Sequence, residues 1–200
     1  MELIKTIFTS KKYMWVGWLA FIWALSSVAI SIVLSPWFNW FTNALSDLGV
    51  YETNYLAALI FNQGLISAGV LVILFSLGFW KNSASSPLEQ IGIFVFAIGG
   101  VFLASIGIFP ETVIGVHYAV SVGFFATIPI SMWIFSLKWL RTKNTQLMGA
   151  ISFVFPFGVI GLWIQPWDGV AIPEILSAAL FIIWILAVTY QVGTSEEVSS

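Results

Sequence analysis

Apolar residues along this chain do not alternate with polar ones. They come in six unbroken runs, over residues 14–34, 55–80, 91–109, 117–140, 146–164 and 174–190. A helix needs about 20 apolar residues to cross roughly 30 Å of hydrocarbon. No run carries Lys or Arg in its middle. The missing alternation argues against an outer-membrane barrel. Inside lipid only helices and closed barrels satisfy their own backbone. The pattern therefore predicts an all-α membrane protein: one domain over 1–200, a bundle of six transmembrane helices, and a short polar tail at 191–200. The first run follows Lys5, Lys11 and Lys12. It outlasts the roughly 7–15 apolar residues of a signal-peptide core, so it reads as a retained helix.

The breaks between runs give an orientation. All seven basic residues fall on one side if the spans alternate: Lys5, Lys11 and Lys12 before the first, Lys81 after the second, and Lys138, Arg141 and Lys143 after the fourth. Basic residues stay in the cytoplasm, so both termini are predicted to be cytoplasmic, in a multi-pass protein of the cell membrane. The opposite face carries Asp47, Glu52, Glu111, Asp168 and Glu174, with His117, the single histidine, beside them. The net charge of −2 hides this polarity.

Composition removes whole classes of function. Sixty per cent of residues are hydrophobic and 8% charged, against roughly a quarter charged in soluble domains. Folded in water, the chain would expose apolar patches that soluble monomers do not tolerate. A soluble enzyme and a disordered segment are excluded. With no basic footprint, so is a nucleic-acid partner. No cysteine is present, hence no disulfide or thiolate nucleophile, and the redox compartment stays open. No phosphate-binding loop, dinucleotide fingerprint, nucleophile elbow or HExxH occurs, and no cofactor is predicted.

Many polar positions have structural explanations. Pro173-Glu174 suits a helix start. Ser46-Asp47 suits the cap of a short outer helix, or a turn before Gly49. Pro110 ends the third span, and Pro129 and Pro156 lie within spans whose neighbours absorb a kink. Trp15, Trp18, Trp37, Trp40, Trp80, Trp139, Trp163 and Trp167 stand near span ends, as an interfacial belt requires. Small residues four apart (Gly64 and Ala68, Gly100 and Ala104, then Gly115, Ala119 and Gly123) predict close packing of the second, third and fourth spans.

Asn62 and Gln63 lie about two turns into the second span from its outer end. With Asp47, Glu111, His117 and Glu174 they bring polar groups from several segments to similar depth. Ionisable groups at membrane depth are costly and face the bundle interior. An outward-opening polar pocket of Asp47, Asn62, Glu111, His117 and Glu174 is thus the predicted site. Asn62 carries most weight, because an amide inside lipid needs a partner. Glu52 and Asp168 read as solvated loop charges. His117 is either an interfacial imidazole opening a helix or a general base or metal ligand. Asp47 serves equally as cap or catalytic group. One histidine without cysteine is poor zinc chemistry. An oxygen-rich Ca²⁺ or Mg²⁺ site is chemically possible, although no ligand spacing specifies one.

Three stretches carry a resemblance: Asn43-Ala44-Leu45-Ser46-Asp47-Leu48-Gly49; Phe61-Asn62-Gln63-Gly64-Leu65 with Gly69; and Gly107-Ile108-Phe109-Pro110-Glu111 followed by His117. Their order and spacing resemble an uncharacterised prokaryotic family of six-helix membrane proteins, domain of unknown function family 998, over nearly the whole chain. The resemblance implies that Glu174 matches an acidic residue near the start of the last helix; the basic residue expected to follow it is absent here. In layout the family is similar to the eukaryotic FRAG/DRAM/Sfk group, implicated in lipid handling, which is fold-level analogy. The resemblance implies no activity.

Three functions compete. The first is a non-enzymatic membrane protein whose outer pocket binds a lipid headgroup or a small polar ligand, cationic or zwitterionic because the rim is acidic. Its partners are membrane lipids, and protein partners are left open. The second is a membrane-embedded hydrolase or transferase in which His117 and a carboxylate, Asp47 or Glu111, activate water; the single histidine counts against it. The third is a transporter, which would need charges near the midplane. Every acid here is interfacial.

Overall fold

A computed structural model describes residues 13–83 and 86–195. Lys5, Lys11, Lys12 and the last five residues of the predicted tail lie outside that range. Six long helices form: α1 Tyr13–Val33, α2 Tyr55–Ser83, α3 Pro87–Ile108, α4 Ile114–Trp139, α5 Gln146–Trp163 and α6 Ala171–Ser195. A 3-10 turn, Leu45–Gly49, lies in the first connection. All six helices are long and apolar enough to span a membrane, and no strand occurs among the described residues. The chain is a six-helix multi-pass membrane protein.

Helices α3, α4 and α6 start about one turn before the hydropathy break. Ser86 caps α3, its hydroxyl accepting from the Glu89 amide at 3.3 Å, with Pro87 in the first turn. Glu89, His117 and Glu174 therefore lie inside helices.

Each helix packs against its neighbour in sequence, and α6 returns to α1, where the Trp18 indole donates to Thr189 at 2.8 Å. A close backbone approach joins α2 to α3. A Cβ on Gly69 would stand 2.5 Å from the Gly100 carbonyl oxygen, and one on Gly107 would collide with the Asn62 carbonyl. No described glycine has positive φ; these glycines permit proximity, not turning. The small-residue row on α4 behaves differently. Gly123 meets the Phe102 ring, while Gly115 faces open space, so α4 packs on α3 through side chains.

The half of the bundle nearer Lys81 and Lys138 is filled with aromatic rings. Phe79 stacks on Phe135 at 5.8 Å and Phe135 on Trp139 at 4.6 Å. Trp184, fully buried, lies 5.7 Å from Phe96 and donates to Ser152 on α5 at 2.8 Å. Trp139 does not join an interfacial belt: it is buried and donates to Glu89 at 2.9 Å. Trp15, Trp37, Trp40 and Trp80 are exposed, as a belt requires. The described basic residues, Lys81, Lys138, Arg141 and Lys143, share the end away from Asp47 and Glu111.

Candidate functional site

At the other end, three connections are tied together. The 3-10 turn is shaped by Asp47, whose Oδ2 accepts from the Ala44 amide at 3.0 Å and from Asn43 Nδ2 at 2.7 Å. This is the cap anticipated from Ser46-Asp47, made by the side chain reaching back to the preceding backbone. Glu174, nearly buried on α6, accepts from the Leu45 amide at 2.6 Å. Its carboxylate therefore holds the outer turn instead of only complementing its own helix dipole. Ala171 N–H donates to the Asn43 carbonyl at 2.9 Å, and Gly169 lies so close to Asn43 that a Cβ would fall 2.5 Å from its amide nitrogen. Between α3 and α4, Glu111 accepts from the Ser46 hydroxyl at 3.2 Å. Burial pushes the Glu111 carboxyl from its ordinary 4.5 up to about 7. The neighbouring Asp47 carboxyl adds to the rise, and the Ser46 hydroxyl opposes it.

His117 is buried one turn into α4. Its Nδ1 lies 2.7 Å from the Phe109 carbonyl, and its Nε2 lies 3.4 Å from Ser121 Oγ. A carbonyl only accepts, so Nδ1 carries the proton, and Nε2 of the neutral ring accepts from the serine. The ring thereby ties off the end of α3.

Asn62 is fully buried, and its Nδ2 donates to the Gly49 carbonyl at 2.9 Å. Its Oδ1 has no hydrogen-bond partner among the described residues and presses on Gly49, where a Cβ would lie 2.6 Å away. This amide fastens the outer turn to α2 from behind and forms no part of the cavity wall. Asp47, Glu111, His117 and Glu174 do share that wall.

The cavity has a volume of about 1110 Å³. Ser46, Asp47, Glu111, His117, Ser121 and Glu174 line its outer end. It continues between α4 and α5 along Phe125, Ala126, Pro129, Trp133, Val159 and Trp163. Ile130, Ile160 and Ile164 on its edges are exposed on the outside of the bundle, so the trough opens sideways as well as outward. Among the described residues no three His, Asp or Glu side chains are grouped as metal ligands. Sequence reasoning read Ser46 only as a cap or turn residue and did not single out Ser121 or the aromatic trough. Ser121 stands four residues after His117, a spacing that puts both on one helix face, and that was the legible clue.

Six apolar helices enclosing a cleft with an acidic mouth and a greasy floor define an integral membrane protein with an outer amphipathic cavity. The chain belongs to the family described as protein of unknown function DUF998, whose model matches residues 18–191. No curated protein and no solved structure matches it.

Proposed function

We propose that this protein sits in the cell membrane with its basic end in the cytoplasm and binds a membrane lipid in the α4–α5 cavity. The lipid's headgroup lies at the acidic outer end and its tail lies in the trough. One observation carries this reading: polar and apolar linings belong to a single continuous cavity that is open toward the bilayer. At roughly 1.5 Å per residue, His117 and Trp133 stand about 24 Å apart along α4. That exceeds the about 15 Å of one leaflet, half of a hydrocarbon core of about 30 Å. A small polar solute would leave most of this length unfilled. The mouth offers the carboxyl groups of Asp47, Glu111 and Glu174 and, among the described residues, no lysine or arginine, which favours a headgroup bearing an ammonium over an anionic one.

The test is to purify the protein in mild detergent, exchange it into vesicles of phosphatidylethanolamine or of phosphatidylglycerol, and identify retained lipid by native mass spectrometry. Phosphatidylethanolamine should be retained preferentially. Ala126→Trp, which fills the trough from an exposed position, should abolish retention while leaving the folded protein intact. Lipid retention unchanged by Ala126→Trp would refute the assignment of the tail to this cavity. Retention of a soluble ammonium compound without lipid would replace the lipid by a small cation.

A further inference from the structure

Hydroxyl groups on these helices mostly donate to backbone carbonyls, across to a neighbouring helix for Ser31 and Ser131 and three residues back for Ser136. Ser27, Ser76, Ser105, Thr127, Ser152 and Thr189 each donate to the carbonyl four residues back, at 2.7–2.9 Å. This is the usual way a helical hydroxyl is satisfied in lipid. Ser121 makes no such bond among the described residues; its Oγ meets His117 Nε2 at 3.4 Å. The imidazole is in turn held by Nδ1–H to the Phe109 carbonyl at 2.7 Å. A hydroxyl beside a basic ring nitrogen, with the opposite nitrogen fixed by an acceptor, is the arrangement that activates a serine. Both groups line the cavity. Ser121 lies one turn deeper than His117, where the acidic mouth gives way to Val122 and Phe125. In a lipid held headgroup outward, the ester carbonyls occupy that junction.

We propose that Ser121 and His117 form a nucleophile–base pair that cleaves or transfers an acyl chain from an ester lipid bound in the cavity. This rests on the lipid assignment above and adds chemistry to it. In the first step Ser121 Oγ bonds to the ester carbonyl carbon and its proton passes to His117 Nε2. The carbon–oxygen bond to the lipid alcohol then breaks, and that alcohol leaves with the proton from His117. In the second step water, or the hydroxyl of an acceptor lipid, gives its proton to His117 and attacks the acyl–serine ester. The acyl group departs as fatty acid or as a new ester, and the serine regains its proton. Phe109 positions the base through its carbonyl.

Two measurements on the full chain in phosphatidylethanolamine vesicles test this. The first is release of fatty acid, or of lysolipid and acyl-transfer product. The second is labelling by a fluorophosphonate, with the modified residue located by mass spectrometry. The wild type should turn over lipid and be labelled at Ser121. Ser121→Ala should lower turnover by about 100-fold or more while retaining lipid. Because the chain has no cysteine, Ser121→Cys introduces a single thiol. Its alkylation by iodoacetamide at neutral pH should slow when His117→Gln is added, an effect that a purely structural histidine would not produce. Wild-type protein that retains lipid but neither releases product nor takes the label would overturn the proposal and leave the lipid assignment standing. Turnover unaffected by Ser121→Ala would overturn it too. Labelling at Ser121 in protein that retains no lipid would support the activated serine and remove the lipid assignment.

Discussion

The α2–α3 interface and the α4–α5 interface have nearly the same raw materials and opposite forms. Between α2 and α3, Gly69, Gly100, Ala104 and Gly107 let two backbones touch, and nothing fits between them. Between α4 and α5, both helices carry a proline, Pro129 and Pro156, and bulky rings hold the helices apart around a cavity of about 1110 Å³. In lipid no hydrophobic force drives apolar helices together, so packing alone decides which pairs close. Glycine at the contact closes one seam. Gly149 on α5 closes only the inner end of the other seam, against the Trp139–Leu140 backbone, and aromatic and branched residues leave the rest open: Gly161 on α5 meets nothing within 4 Å, and Gly158 meets only Leu180 of α6, at 3.5 Å. A membrane protein thus obtains a rigid spine and a ligand-sized cleft from the placement of a few small residues.

The strongest way to break this contrast is to put the same side chain into both seams. Gly69→Leu must displace the Gly100 carbonyl and the Ala104 backbone, neither of which is a flexible side-chain tip. It should cost about 3 kcal/mol or more, at or beyond the upper end of overpacking effects. Gly161→Leu adds the same atoms where nothing is in contact and should stay within about 0.5 kcal/mol of wild type. Reversible denaturation in mixed micelles would read both. Equal losses from the two substitutions would show that the seams do not differ as described.

How much of this contrast the sequence disclosed depends on the range of the interaction. Helix number and span follow from continuous apolar runs, a local property, and the six runs correspond to the six helices. The Gly100–Ala104 spacing marked the closed seam correctly, but the same spacing at Gly115 and Ala119 marked nothing comparable, because small-residue spacing does not say which way a face points. Asp47, Glu111, His117 and Glu174 were legible because charge is conspicuous in an apolar chain, and they do gather at one cavity. Asn62 was legible as a residue needing a partner, yet its partner, the Gly49 carbonyl 13 residues away, could only be known in three dimensions. Trp139 read as belt and is core; a tryptophan at a helix end is ambiguous until its neighbour, here Glu89, is known. The trough was illegible, since an apolar residue facing a cavity and one facing lipid look alike.

Asn62 supplies the intermediate effect, at the point where the closed seam supports the open one. Its amide holds the outer turn that carries Asp47, while its backbone carbonyl abuts Gly107. Asn62→Ala leaves the Gly49 carbonyl without this donor and opens a void. It should destabilise by about 2 kcal/mol, within the range for a buried polar group left unpaired. Loss of lipid retention should accompany it even at temperatures where the bundle remains folded, because the turn forms one wall of the mouth. Hydrogen exchange of residues 45–50, faster in Asn62→Ala than in wild type while α2 and α3 stay protected, would verify that the damage is confined to the turn.

The smallest expected effect concerns pH, and it separates the mouth from the spine by chemistry. Glu111 holds its proton up to about pH 7 in the folded protein, against 4.5 for an ordinary glutamate, because of burial, Asp47 and, in the opposing sense, Ser46. Glu174 on α6 also lies within electrostatic range of both acids. Below pH 4.5 folded and unfolded chains are protonated alike at this position, and Glu111 adds no pH dependence. Between 4.5 and 7 the folded state keeps the proton that the unfolded state has lost, so stability falls as pH rises, and above 7 the full penalty persists. Wild-type protein should therefore melt at a lower temperature at pH 8 than at pH 5, and Glu111→Gln should flatten that dependence. An ammonium headgroup at the mouth would favour the ionised form of Glu111 and so oppose the fall. Vesicles of phosphatidylethanolamine should then reduce the slope in the wild type and leave it unchanged in Glu111→Gln. A slope that survives Glu111→Gln would assign the titration to another group and detach the acidic mouth from lipid recognition.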